Sequence, residues 1–220
     1  MKKNLLIDCD GVLYPTSQLS TAEIVKAMND TVRDYGIDKD AYERASQRAK
    51  DANALGIFNF IKILSAENRF EFKDFCRDMV EKIDYSRITR DDHLLSLLRR
   101  TSEKYNPMIL TNNCPEHVEK VLARRFGRTR QTFGIPCYDI TYMEYNGRFY
   151  SKRMEIGLEM FCSKVGINPR DTTIVEDTPG NIEIAEAVGM SGVLIGGEKS
   201  LNVYLQALLS RPFPEREFSR

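Results

Sequence analysis

The sequence predicts an α/β protein: a Rossmann-like parallel sheet core with an inserted helical cap. Three observations carry this. The chain opens on a short apolar run, Asn4-Leu5-Leu6-Ile7, that stops abruptly at Asp8. From Pro107 onward, further apolar runs alternate with helical patterns, which is the signature of parallel strands joined by crossover helices. Between the two, from about Ser20 to Arg100, the pattern is helical throughout, with no convincing strand. That block interrupts the sheet and reads as a lid over the strand ends. The expected division is a core of 1–17 and 92–220 and a cap of 18–91.

The elements follow in order. Ser20-Thr21-Ala22-Glu23 has the form of a capping box opening a helix toward Tyr35, with Gly36 placed to end it. Asp38 to Lys50 is polar and rich in helix formers, Gly56 breaks the pattern, and Ile57 to Leu64 is apolar. Asn68 to Lys82 carries Phe72, Phe75, Met79 and Ile83 at helical spacing, and Asp91 to Lys104 carries Leu94, Leu95, Leu97 and Leu98. Pro107-Met108-Ile109-Leu110-Thr111 reads as a buried strand, and Pro115 to Phe126 as a helix with proline in its first turn. Pro136 to Tyr142 reads as a strand, Tyr145-Asn146-Gly147-Arg148 as a turn, and Met154 to Val165 as a helix. Thr172-Thr173-Ile174-Val175 is a strand ending in Glu176-Asp177. A helix from Pro179 to Val188, a strand from Ser191 to Ile195 and a helix from Leu201 to Leu209 complete the core. The tail from Arg211 to Arg220, with Pro212 and Pro214, is expected to be loose.

Composition narrows the function. With 220 residues, 42% of them hydrophobic, the chain can bury a sizeable core. Lys and Arg together number 32, as do Asp and Glu, so no bulk charge draws it to nucleic acid or an anionic membrane. Five scattered cysteines, Cys9, Cys76, Cys114, Cys137 and Cys162, form no Cys-x-x-Cys and fit reduced thiols in a cytoplasmic protein. No apolar stretch approaches the length of a membrane span or a signal h-region. His93 and His117 share no spacing with each other or with the cysteines and read as surface or helix-face residues. Arg124, Arg125, Arg128 and Arg130 read as a solvated basic face.

The chemistry concentrates at strand ends. Asp8/Asp10, Thr111-Asn112-Asn113 and Glu176-Asp177 each follow an apolar run, and parallel strands deliver their ends to one edge. Two carboxylates one residue apart repel each other unless a cation lies between them. Several carboxylates meeting there make a hard, oxygen-rich site suited to Mg²⁺. Lys152, near the start of a helix, can join them across a short loop.

These residues resemble a known family. Asp8-Cys9-Asp10-Gly11-Val12-Leu13 is similar to the first motif of the haloacid dehalogenase (HAD) superfamily, Thr111-Asn112 to its second, Lys152 to its third and Glu176-Asp177 to its fourth. They stand in the family's order, with an insert where that family places a helical cap. Asp10-Gly11-Val12-Leu13-Tyr14-Pro15, Tyr35-Gly36-Ile37, Leu55-Gly56-Ile57 and Thr111-Asn112-Asn113 resemble the pyrimidine 5′-nucleotidase-like phosphatases within it. One departure is Arg153, where relatives often carry proline after the lysine.

The resemblance implies a Mg²⁺-dependent phosphatase acting through an aspartyl phosphate. Asp8 is then the nucleophile, and Asp10 the general acid that later activates water as a base. Thr111 and Asn112 donate to phosphate oxygens, and Lys152 offsets negative charge. The implied metal set is Asp8, Asp10, Glu176 and Asp177, with the carbonyl of Cys9 contributing and Glu176 acting directly or through water. The expected partner is a small phosphorylated metabolite, most specifically a nucleoside 5′-monophosphate, with Phe58 or Phe60 of the cap placed to stack on a base. A sugar-phosphate phosphatase or phosphomutase on the same scaffold, and a non-catalytic binding protein that kept the fold, are the alternatives.

Overall fold

The computed structural model describes residues 2–51, 56–196 and 200–210. β1 (Asn4–Ile7) is buried along its whole length. It lies between β2 (Asn106–Leu110) and β6 (Thr172–Glu176), parallel to both. A strand covered on both faces must be apolar throughout, which Leu5-Leu6-Ile7, Met108-Ile109-Leu110 and Ile174-Val175 supply. β3 (Cys137–Tyr138) pairs with β2 and β7 (Ser191–Leu194) with β6, giving a five-stranded parallel sheet of order β3-β2-β1-β6-β7. The connections reverse direction between β1 and β6, and the crevice beyond their carboxyl ends is where open α/β sheets bind ligands.

The register is pinned at the far end of the sheet. Asn4 stands opposite both Asn106 and Thr172. Its side-chain N–H donates to Thr172 Oγ1 at 3.3 Å, and its oxygen accepts from the Asn106 amide at 3.1 Å. A slip of one residue would break both bonds and move each β1 side chain to the opposite face of the sheet. With this register fixed, Asp8, Thr111 and Glu176-Asp177 leave the sheet at one edge.

Among the described residues, four helices follow β1: α1 (Thr21–Asp34), α2 (Lys39–Asp51), α3 (Ile57–Asn68) and α4 (Phe72–Glu81). The capping box at Ser20 forms: the Glu23 N–H donates to Ser20 Oγ at 3.3 Å and the Ser20 N–H to Glu23 at 2.8 Å. Asn68 to Lys82 is not one helix, as its spacing suggests. Arg69 adopts a left-handed conformation (φ 59°) that ends α3, and α4 starts afresh at Phe72. A single-turn helix, Tyr85–Arg87, leads back toward α5 (Asp92–Lys104).

The rest of the core runs α6 (Pro115–Phe126), the short α7 (Arg130–Phe133), then β3. The strand expected over Pro136 to Tyr142 is only two residues long. Asp139 accepts the Thr141 N–H at 2.9 Å and starts a 3₁₀ turn, Ile140–Met143, so the chain leaves the sheet after Tyr138. A two-residue hairpin follows, β4 (Glu144–Tyr145) and β5 (Arg148–Phe149), around the expected Asn146-Gly147 turn. α8 (Glu155–Val165), α9 (Pro179–Ala187) and α10 (Leu201–Ser210) complete the layers. Leu55 and the tail from Arg211 lie outside the described residues.

The basic run is not a solvated face throughout: Arg124 is exposed, but Arg125 is not. Arg125 is buried, and its guanidinium donates to Leu13 O at 2.8 Å, Thr89 O at 2.7 Å and Asp91 at 2.7 Å. It thereby ties together the two connections that lead into and out of the α1–α4 block. Arg130 likewise holds Asp139 at 2.6 Å. All five cysteines are free. Among the described residues, no helix is long and apolar enough to cross a membrane.

Candidate active site

At the β1/β6 edge, Lys152 is buried and its ammonium sits between two carboxylates. It contacts Asp8 and lies 2.5 Å from Glu176 Oε1. Burial alone would depress Lys152, but Asp8 and Glu176 outweigh it and hold its pKa above the usual lysine value. Two turns of backbone chemistry put it there. The Lys152 N–H donates to Asn112 Oδ1 at 3.0 Å, which ties the lysine to the end of β2. Gly157, in the first turn of α8, packs so close that a Cβ would stand 2.2 Å from Ser151 O. Lys152 therefore precedes α8 by three residues, and Arg153 does not displace it.

Glu176 is held from several sides. Beyond Lys152 it accepts from the Asn181 amide at 3.0 Å and from the N–H groups of Asp177 and Thr178 at 3.2 and 3.4 Å. Asp177 swings into the cleft beside Gly11. A Cβ at Gly11 would fall 2.0 Å from Asp177 Oδ2, and Gly11 has φ +75°, so glycine satisfies both the turn and the close approach. Ligand atoms of Asp8, Glu176 and Asp177 all lie within 4.8 Å of one another. Three hard oxygen donors at that separation fit a small divalent cation such as Mg²⁺. Burial raises the pKa of Asp8, with Lys152 opposing it, and burial also raises that of Asp177.

Asp10 does not join that set through its side chain. Its Oδ2 accepts from Asn113 at 2.6 Å and from Thr111 Oγ1 at 3.4 Å; its Oδ1 accepts from Tyr14 and meets His117 Nε2 at 2.8 Å. Burial would raise its pKa, but His117, Tyr14 and Asn113 prevail and hold it well below the ordinary carboxylate range. Asp10 groups instead with Cys9 and His117. The aspartate that the resemblance counted with the metal ligands thus has both its oxygens engaged by other side chains.

His117 is the residue that sequence reasoning missed. It is fully buried on the first turn of α6, not at the surface. A histidine two residues past a proline that opens a helix, just after a strand-end Thr-Asn-Asn, points back at that strand's neighbours. That spacing was the available signal.

A cleft of about 290 Å³ opens above these groups. Asp8, Asp10, Thr111, Asn112, Lys152 and Asp177 form its floor. Leu19, Ile24, Val25, Ile57, Phe58 and Phe149 give it an apolar wall, with Thr16, Thr21, Asn59 and Arg153 interspersed. Of the two phenylalanines expected to face a ligand, Phe58 lines the cleft; Phe60 packs on Tyr42 with ring centres 4.7 Å apart. The wall is anchored to the core: Asn59 Nδ2 donates to Phe149 O at 2.8 Å, and the Phe149 N–H donates to Asn59 Oδ1 at 3.0 Å.

Solved structures share this fold. A HAD family enzyme from Bacteroides thetaiotaomicron superposes with a TM-score of 0.58 at 16% identity, covering 92% of this chain and 98% of its own. The same enzyme in complex with magnesium and inorganic phosphate gives 0.54 at 17% identity, with 91% and 97% covered. CbbY from Rhodobacter sphaeroides in complex with phosphate gives 0.55 at 15% identity, with 99% and 92% covered. No curated protein resembles the chain closely enough to be matched by sequence. The family model described as a haloacid dehalogenase-like hydrolase matches residues 2–189. On that match and this fold, the chain belongs to the haloacid dehalogenase-like hydrolases.

Proposed function

We propose that this hydrolase is a Mg²⁺-dependent phosphatase of small phosphomonoesters, working through an aspartyl phosphate on Asp8. The observation that carries the reading is the buried ammonium of Lys152 between Asp8 and Glu176, with Asp177 close enough to share a cation with them. Asp8, Glu176 and Asp177 would hold Mg²⁺, Glu176 directly or through water. When bound, the ion screens the phosphoryl charge and favours the ionised form of Asp8. Asp8 attacks phosphorus, and Lys152 offsets the charge that accumulates on the two together. Thr111 and Asn112 bind phosphate oxygens at the end of β2. Asp10 gives a proton to the departing oxygen and takes one from the attacking water afterwards. An arriving phosphate dianion raises the pKa of a carboxylate beside it, which counteracts the depressed value of the resting Asp10.

The segment 18–91 serves as the lid, closing the cleft and excluding water. Its apolar wall, with Phe58 on the cleft, favours a substrate with a planar apolar body, and we assign a nucleoside 5′-monophosphate, as in the pyrimidine 5′-nucleotidase-like group. The free thiols fit a cytoplasmic setting. A second reading, a sugar-phosphate phosphatase or phosphomutase, draws on Thr16, Thr21, Asn59 and Arg153 at the same wall. It also draws on a CbbY mutant solved with xylulose-(1,5)bisphosphate (TM-score 0.55, 16% identity).

A panel of nucleoside monophosphates and sugar phosphates, assayed for phosphate release with and without Mg²⁺, separates them. The proposal expects Mg²⁺-dependent release with nucleotides ahead in kcat/KM. Sugar phosphates ahead would favour the second reading. No release from any member would leave only the non-catalytic binding protein.

A further inference from the structure

Behind Asp10 runs a chain of hydrogen bonds that the proposed reaction does not use. His117 Nε2 stands 2.8 Å from Asp10 Oδ1, and His117 Nδ1 stands 2.8 Å from the Tyr85 hydroxyl. The two rings lie against each other with centres 5.5 Å apart. His117 does not line the cleft, whereas Asp10 does. An ionised carboxylate only accepts, so Nε2 carries a hydrogen and donates to Asp10, while Nδ1 shares the second hydrogen bond with the Tyr85 hydroxyl. Tyr85 belongs to the single-turn helix Tyr85–Arg87 on the return connection from the α1–α4 block. Tyr14, on the outgoing connection, donates to the same carboxylate oxygen.

From this geometry we infer that His117, oriented by Tyr85, is a positioning residue that aims the Asp10 carboxyl at the departing oxygen of the substrate. The inference rests on the proposed role of Asp10 in phosphoryl transfer. A carboxyl can rotate about two bonds, and a proton donor works only when held within hydrogen-bond reach of the leaving atom. Asn113 holds one oxygen of Asp10; His117 and Tyr14 hold the other, so the plane of the carboxyl is fixed from both sides. Tyr14 reaches Asp10 from the outgoing connection, and His117, through Tyr85, couples Asp10 to the return connection.

The test exploits the leaving group. A p-nitrophenolate departs without a proton, whereas an alkoxide needs one. The readout is kcat/KM for p-nitrophenyl phosphate and for an alkyl phosphomonoester, since kcat/KM reports the step in which the leaving group departs. His117→Ala should lower the alkyl value by about a hundredfold, and the aryl value by less than about tenfold. His117→Gln, whose amide N–H can reach Asp10 from the same side, should restore most of the alkyl rate. Equal losses on both substrates, or no recovery in a His117→Gln protein that melts like the parent, would overturn the inference. Should His117→Ala fail to fold, Tyr85→Phe decides: a lowered alkyl-to-aryl ratio supports the relay, and an unchanged ratio refutes it. The parent enzyme and Asp8→Asn, assayed alongside, report on the phosphatase reading itself. A parent inactive on both esters fails that reading, while an active parent with unchanged ratios fails only this one.

Discussion

Asp8 and Asp10 leave the same strand end two residues apart, yet they sit in opposite surroundings. Asp8 lies in an ionic cluster, against the ammonium of Lys152 and beside Glu176 and Asp177. Asp10 lies among groups drawn from Thr111, Asn113, Tyr14 and His117. Burial pushes the first carboxyl up, while on the second it is overcome and the pKa falls. Two chemically identical side chains are thereby given separate environments, which is how one site can house a nucleophile and a proton carrier. The difference teaches that the ionic half should respond to charge and cation, and the hydrogen-bonded half to geometry.

Removing the cation of the ionic half should have the largest effect. Lys152→Met strands two buried carboxylates. It should cost about 3–5 kcal/mol, seen as a melting midpoint lowered by roughly 10 °C, and should slow turnover on the order of a hundredfold. Mg²⁺ should restore part of the lost stability. If the midpoint does not move, the ionic half is not what holds this edge together.

Gly11→Ala tests the cation itself. The new Cβ would displace Asp177, so Mg²⁺ should no longer stabilise the variant. In the parent, Mg²⁺ at a hundred times its Kd should contribute about 2.7 kcal/mol. The pH dependence has a definite sign. A metal ligand must be deprotonated, and Asp177 holds its proton to higher pH than an ordinary aspartate. Mg²⁺ affinity, followed by calorimetry, should therefore weaken as pH falls, and begin to do so at a higher pH than an ordinary aspartate would set.

The smallest effect belongs to the apolar wall of the cleft. Asn59→Ala removes both bonds to the Phe149 backbone. Loosening the apolar wall should raise KM about fivefold, from roughly 1 kcal/mol of lost hydrogen bonding, with kcat nearly unchanged. A fall in kcat instead would place Asn59 nearer the chemistry than the geometry does.

Most of this edge was legible in the sequence because it is built from strand ends. Apolar runs with abrupt polar stops announce where β1, β2 and β6 finish, and parallel topology brings those stops together. Features that depend on packing between distant elements were not legible. Arg125 reads as one of four exposed arginines, and only the fold shows it clasping Leu13, Thr89 and Asp91. His117 reads as a helix-face residue, and only the approach of Tyr85 from 32 positions away reveals its role. The break between α3 and α4, expected between Leu64 and Asn68, falls at Arg69 because that residue, not a glycine, takes the left-handed turn.

The central claim is that Asp8 receives the phosphoryl group beside a shared cation. Rapid acid quench during turnover of a phosphomonoester, followed by mass spectrometry of the peptide carrying Asp8, measures this directly. The account predicts a phosphoryl adduct on Asp8 that requires Mg²⁺ and is absent in Asp8→Asn, which should lose on the order of 10⁴-fold in rate. Continued turnover by Asp8→Asn, or an adduct on another residue, would contradict it.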